Sequence, residues 1–250
     1  LKRIYLCLLL LLVPLFILCQ DFDQIFHELP EPGAFAKYKY KNSKDNGEVA
    51  EGDWIVSVTR KEIIDGEEFL LVEIYPFVFK VLREKRGTLG ILLKRNPDGQ
   101  EKKNFILRAK KVMFAEEGKE PYEIDESVLQ MLRDGSKDFK IEKLEKEKER
   151  KKVEFKDKKE REIIVYSSEI TFEEDDGDRQ ILKGTKEYSK EVPFGLVREE
   201  YLITKLGKNG EVKKKIKSIV ELIDFSFTSA KSAFQERKMK KKGFWGIIFS

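Results

Sequence analysis

The chain holds few residues able to do covalent or metal chemistry. Among its 250 residues there is one histidine, His27, and there are two cysteines, Cys7 and Cys19. A nucleophilic serine or cysteine needs a base beside it, most often an imidazole. His27 sits among Phe22, Ile25, Phe26 and Leu29, which fall at helical spacing before Pro30 and Pro32, and it reads as a surface or half-buried side chain. Both cysteines lie in the N-terminal apolar run, so the rest of the chain has no disulfide and no Cys/His zinc set. No Gly-x-Gly-x-x-Gly precedes a helix, and there is no Gly-x-x-x-x-Gly-Lys-Ser/Thr phosphate loop. Asp175, Asp176 and Asp178 crowd one turn but lack the alternating ligands and closing Glu of a calcium loop, so they read as an acidic hairpin turn. Two facing carboxylates could serve a glycosidase. The 46 Asp and Glu residues nearly all neighbour a Lys or Arg, however, and read as surface charge balance. The expectation is a protein that is not an enzyme, with no catalytic residue, metal or cofactor.

Charged residues make up 38% of the chain, against a usual quarter, and Lys and Glu dominate them. That surface is the pattern of a thermophile. The net charge of +4 is small against so many charges, which leaves no electrostatic case for nucleic acid. Forty per cent hydrophobic residues are enough for a packed core.

Residues 1–19 open with Lys2 and Arg3 and continue as an apolar run to Cys19, the n-region and h-region of an export signal. The run is short for a membrane span and is interrupted by Pro14, yet a retained signal anchor stays open. The sequence Phe16-Ile-Leu-Cys19 resembles a lipoprotein signal box, with Leu18 where a small residue is usual. Lipidation of Cys19 and ordinary cleavage after it are both open. The protein is expected to be exported, either periplasmic or anchored in the cell envelope.

Beyond the signal, one β domain is expected over residues 20–228, with a tail over 229–250. Alternating apolar residues place strands at Phe35 to Tyr40, Trp54 to Ile64, Phe69 to Tyr75, Phe77 to Arg83, Leu89 to Lys94 and Asn104 to Val112. Asp65-Gly66 and Asn96-Pro-Asp-Gly99 mark turns between them. Residues 121–133 fit a short helix capped by Asp125. Residues 137–152 are mostly Lys and Glu and read as a solvated helical insert or a flexible linker. Strands resume at Val153, with Glu162 to Phe172 and Gln180 to Tyr188. A long hairpin follows, opening at Val192-Pro-Phe-Gly195 and turning at Asn209-Gly210. The fold class is mainly β (α+β): a single curved antiparallel half-barrel sheet with a few helices packed on its concave side.

Large side chains, Trp54, Phe69, Leu71, Tyr75, Tyr166, Tyr201 and Phe225, are expected to share one sheet face, which is either a filled core or an apolar cleft. The candidate ligand-binding residues are Trp54, Val56, Phe69, Leu71, Tyr166, Tyr201 and Ile203. The tail adds Lys238, Lys240, Lys241 and Lys242 before Phe244 and Phe249, a basic-then-apolar end able to touch an anionic membrane surface or to tuck against the sheet.

Residues 33–40 (Gly-Ala-Phe-Ala-Lys-Tyr-Lys-Tyr), the Ile64-Asp-Gly-Glu-Glu-Phe segment, the Val-Pro-Phe-Gly of 192–195 and the Glu-Leu-Ile-Asp-Phe of 221–225 occur in an order that resembles uncharacterised exported proteins of the outer-membrane lipoprotein-sorting superfamily. The resemblance spans roughly residues 33–227, with the charged stretch after 137 as a departure. It implies an open half-barrel sheet closed by helices, and a cavity that, in the LolA and LolB carriers, holds acyl chains. On it rests the first functional expectation, a non-enzymatic envelope protein binding an acyl chain, lipid or lipoprotein. The alternative is a structural or protein-interaction module of the envelope with a filled core and no ligand.

Overall fold

The structure, a computed structural model, describes residues 26, 28–79, 85–102, 105–136, 141–173, 178–234 and 239–243. The export segment with Cys7 and Cys19, and also His27, Asp175, Asp176, Lys238, Phe244 and Phe249, lie outside the described residues. In chain order the strands are β1 (Phe35–Lys44), β2 (Val49–Ile64), β3 (Glu67–Phe79), β4 (Lys85–Lys94), β5 (Ala109–Glu116), β6 (Tyr122–Ile124), β7 (Ile141–Glu154), β8 (Glu160–Glu173), β9 (Arg179–Tyr188), β10 (Leu196–Leu206), β11 (Val212–Ser226) and β12 (Lys240–Lys242). The α-helices among the described residues are α1 (Phe105–Arg108) and α2 (Glu126–Ser136). Hydrogen bonding orders the strands β12-β6-β5-β4-β3-β2-β1-β11-β10-β9-β8-β7, an open sheet, so the mainly β class holds. The β12–β6 pair is parallel, which makes the sheet mixed rather than antiparallel throughout.

Two compact units divide the chain. The first falls within Leu1–Phe35, Trp54–Asp138 and Ser226–Ser250, the second within Ala36–Asp53 and Phe139–Phe225.

In the first unit, β3 and β4 carry near-continuous apolar runs, Phe69-Leu-Leu-Val and Ile91-Leu-Leu, and such runs are buried on both faces of a sheet. Register separates the faces. Leu70, Val72 and Ile74 of β3 lie opposite Leu93, Ile91 and Leu89 of β4, while Leu71 lies opposite Leu92 and Glu73 opposite Gly90. Phe114 of β5, paired with Leu89, belongs to the first set and packs edge-on against Phe77 and Tyr122. Helix α1 stands where a strand is expected to start at Asn104, and its Phe105 meets Phe26 at 5.0 Å between ring centroids. Helix α2 begins at Glu126. Asp125 caps it, accepting the Ser127 amide at 2.9 Å, and Val128, Leu129 and Leu132 are its buried stripe.

In the second unit, Ile170, Leu182, Tyr201 and Ile203 form one buried cluster, with Phe172 and Ile216 packed against it. Around Glu169, Lys183 and Glu200 the opposite face is solvated and laced with ion pairs such as Lys183–Glu169 at 3.0 Å and Lys217–Glu200 at 2.7 Å, while Ile163 and Val165 farther along β8 are buried there. The stretch expected as a solvated helix or linker is strand β7, which pairs with β8 from Ile141 opposite Phe172 to Glu154 opposite Glu160. The turn joining them is fastened by Arg161. Asp157 grips its guanidinium at 2.7 and 2.5 Å, and the rings of Phe155 and Phe225 each lie 4.9 Å from it. Val192-Pro-Phe-Gly195 is a turn preceding β10 rather than the start of its strand. Gly195 has φ +73°, and the Ser189 amide donates to its carbonyl at 2.8 Å.

Candidate functional site

A glycine inside an apolar strand often marks the close approach of another part of the chain. Gly90 sits in such a run, Leu89-Gly-Ile-Leu-Leu93. On its face of the first unit, Ser57, Glu73, Gly90 and Met113 form one row across β2 to β5, and Leu71 and Leu92 flank it in the next row. The missing side chain at Gly90 leaves a recess, and the ring of Phe234 fills it. Phe69, Leu71, Leu92, Met113 and Phe234 form a single buried cluster, with Ile64, Ala115 and Met239 at its margin.

Phe234 arrives on an irregular strap, residues 227–234, which follows β11. Most of this strap is exposed to solvent, while Phe234 is 2% exposed. Its fastening is polar. Glu73, a carboxylate on the strap-side face that is 4% exposed, accepts the Ala233 amide at 2.8 Å, the Thr59 hydroxyl at 2.6 Å and the Ser232 hydroxyl. Arg60 donates to the Phe234 carbonyl at 3.4 Å, and the Ala230 amide donates to Gly33 at 2.7 Å.

The residues expected on one face divide into separate groups. Phe69 and Leu71 line the Phe234 recess. Trp54 and Val56 are buried on the other face: Val56 lies opposite Ile74 and Val58 opposite Val72, and a bulge between Val58 and Arg60 then brings Arg60 opposite Leu71. Tyr75 shares the parity of Leu71 but is exposed, donating to Glu117 at 2.8 Å. Tyr201 and Ile203 belong to the cluster of the second unit. Tyr166 is half-buried in a row that continues through Lys186 and Glu199. Sequence reading missed Gly90, Glu73, Phe234, Lys186 and Glu199. Only Gly90 carried a local signal.

No family profile matches the chain, and no curated protein matches it. Three solved structures share a remote likeness with it. One, assigned as exported with a YmcC-like fold, from Bacteroides fragilis, is 8% identical with a TM-score of 0.35, covering 80% of this chain and 98% of that one. A second, assigned as a lipoprotein, from Parabacteroides distasonis, is 10% identical with a TM-score of 0.33, covering 80% and 98%. A third is a LolA superfamily protein from Nitrosomonas europaea, 10% identical with a TM-score of 0.27, covering 83% and 91%.

Other candidates resolve into structural pairs. Asp178, the described member of the acidic turn, holds Lys213 at 2.5 Å, and that contact lowers its carboxyl below the ordinary range. Among the described residues, no group of three or more His, Cys, Asp or Glu side chains could hold a metal ion, and no helix is long and apolar enough to cross a membrane. In the basic tail, Lys242 lies 4.1 Å from the Tyr122 ring centroid and Lys241 pairs with Glu123 at 3.5 Å, while Lys240 stays largely exposed. Burial, reinforced by Glu116, pushes the Tyr122 hydroxyl up to about 12.

Proposed function

We propose that this chain is a non-enzymatic cell-envelope protein that binds an acyl chain, of a lipid or a lipoprotein, in the recess now filled by Phe234. One observation carries the reading: an apolar seat lined by Phe69, Leu71, Leu92 and Met113 is filled by the Phe234 side chain of a largely exposed strap, with Met239 at its margin. Withdrawal of Phe234 costs that side chain's burial and the strap's hydrogen bonds to Glu73, and an acyl chain entering the seat restores the apolar part. The sequence resemblance supports the same class of guest. Export, with or without acylation of Cys19, places the protein where such guests occur, and the tail around Lys240 adds a contact for an anionic membrane surface.

The test is native mass spectrometry with lipid extraction, on the full chain and on Phe234→Ala. Lipid should copurify or bind, and the variant should take up more. If neither protein carries or binds lipid while both remain folded, the reading fails. The second reading is an interaction module of the envelope without a ligand. The deep burial of Trp54, Val56, Tyr201 and Ile203 by the chain itself favours it. Crosslinking that recovers a reproducible protein partner without lipid would decide for that alternative.

A further inference from the structure

The row that creates the recess also places a carboxylate beside it. Glu73 lies directly opposite Gly90 on the neighbouring strand, so the group that fastens the strap borders the hole that takes the ring. Glu73 accepts from Thr59 within its own sheet and from two donors on the strap, the Ser232 hydroxyl and the Ala233 amide. The strap thus presents a hydroxyl and an N–H immediately before the apolar group that enters the seat.

A guest that displaces Phe234 also removes those two donors. A buried carboxylate left with Thr59 alone of its three donors is costly, and an anion brought beside it adds like-charge repulsion. A guest with its own N–H and hydroxyl next to the chain replaces what the strap supplied. Resting on the reading above, we infer that Glu73 is the specificity-determining residue of the recess and selects an amide-linked, hydroxyl-bearing acyl chain over one ending in a carboxylate or phosphate.

The experiment is isothermal titration calorimetry of the full chain at neutral pH with N-lauroylethanolamine and with laurate, which share one alkyl chain and differ at the head. The amide should bind at least about tenfold more tightly, the ratio expected from one lost charge-assisted hydrogen bond alone. Phe234→Ala should tighten both. Glu73→Gln removes the charge and should bring the ratio toward one, mainly by improving laurate. Laurate binding as tightly as the amide to the unaltered chain overturns the inference without recourse to any variant. So does a ratio unchanged in folded Glu73→Gln, or affinities that ignore Phe234→Ala. Those outcomes leave acyl binding itself standing. Binding of neither compound, to the unaltered chain or to Phe234→Ala, removes the underlying reading and this inference together.

Discussion

The ring of Tyr188 occupies the space where a side chain on Gly195 would stand: a β-carbon there would come within 1.9 Å of the ring. Gly195 also has φ +73°, and Phe194 before it has φ +62°. The most conspicuous motif of the sequence is therefore a tight turn folded onto the last residue of β9. Gly195→Ala should lower stability by about 2–4 kcal/mol, combining left-handed backbone strain with overpacking. Urea denaturation checks this. Adding Tyr188→Ala should return only the steric share, and a fully additive double variant would remove the ring from the account.

The Asp157–Arg161 contact predicts an acid-range dependence. The Arg161 guanidinium pulls the Asp157 carboxyl down to about 2. A depressed folded value means the contribution is complete above the unfolded value of an ordinary aspartate and fades as pH falls from about 4 through about 2. Carboxyl chemical shifts followed by NMR should show Asp157 titrating last among the aspartates, and Arg161→Lys should bring it back toward the ordinary range. A normal titration in the unaltered protein would refute the contact.

Tyr122 predicts the opposite end of the scale. Its folded value of about 12 lies above that of a free tyrosine. The folded chain keeps the phenolic proton where the unfolded chain has lost it. The contribution is therefore present below about pH 10 and is lost as pH rises from there through about 12. Glu117 also raises Tyr75, so tyrosinate absorbance should show late ionisation that loses one group in Tyr122→Phe, whose alkaline stability curve should be flatter.

Lys186 and Glu199 are directly opposed across β9 and β10, at 0% and 8% exposure. Removing one buried charge strands the other, so Lys186→Met alone should cost about 3–5 kcal/mol. Lys186→Met with Glu199→Leu should recover much of that loss. A double-mutant cycle in thermal or urea unfolding measures the coupling, and strictly additive losses would show that the two charges do not interact.

Much of the strand layout was legible, because alternation and turn chemistry are local properties. Asp65-Gly66 closes the β2–β3 hairpin with φ of 53° and 80°, and Gly210 turns β10 into β11 with φ of 80°. Strand β7 was not legible. Its Lys/Glu run supports i,i+4 pairing on a helix as well as charge on an edge strand, and only the pairing offered by β8 selects the strand. The division of the proposed ligand residues was hidden too. One extra residue between Val58 and Arg60 reverses which face each later β2 side chain joins, and no local pattern announces a bulge.

The sequence by itself determined a chain with one histidine and two cysteines, rich in strands and their turns, because residue types and short periods are fixed before folding. The tertiary structure alone decided what fills the sheet. Ser232 reaches Glu73 across 159 residues of chain, and the Phe234 ring closes over Gly90. Nothing near position 90 specifies an aromatic partner. The recess exists only once four strands align a glycine beside a carboxylate, and the strap occupies it only because both apolar burial and two hydrogen bonds are satisfied there.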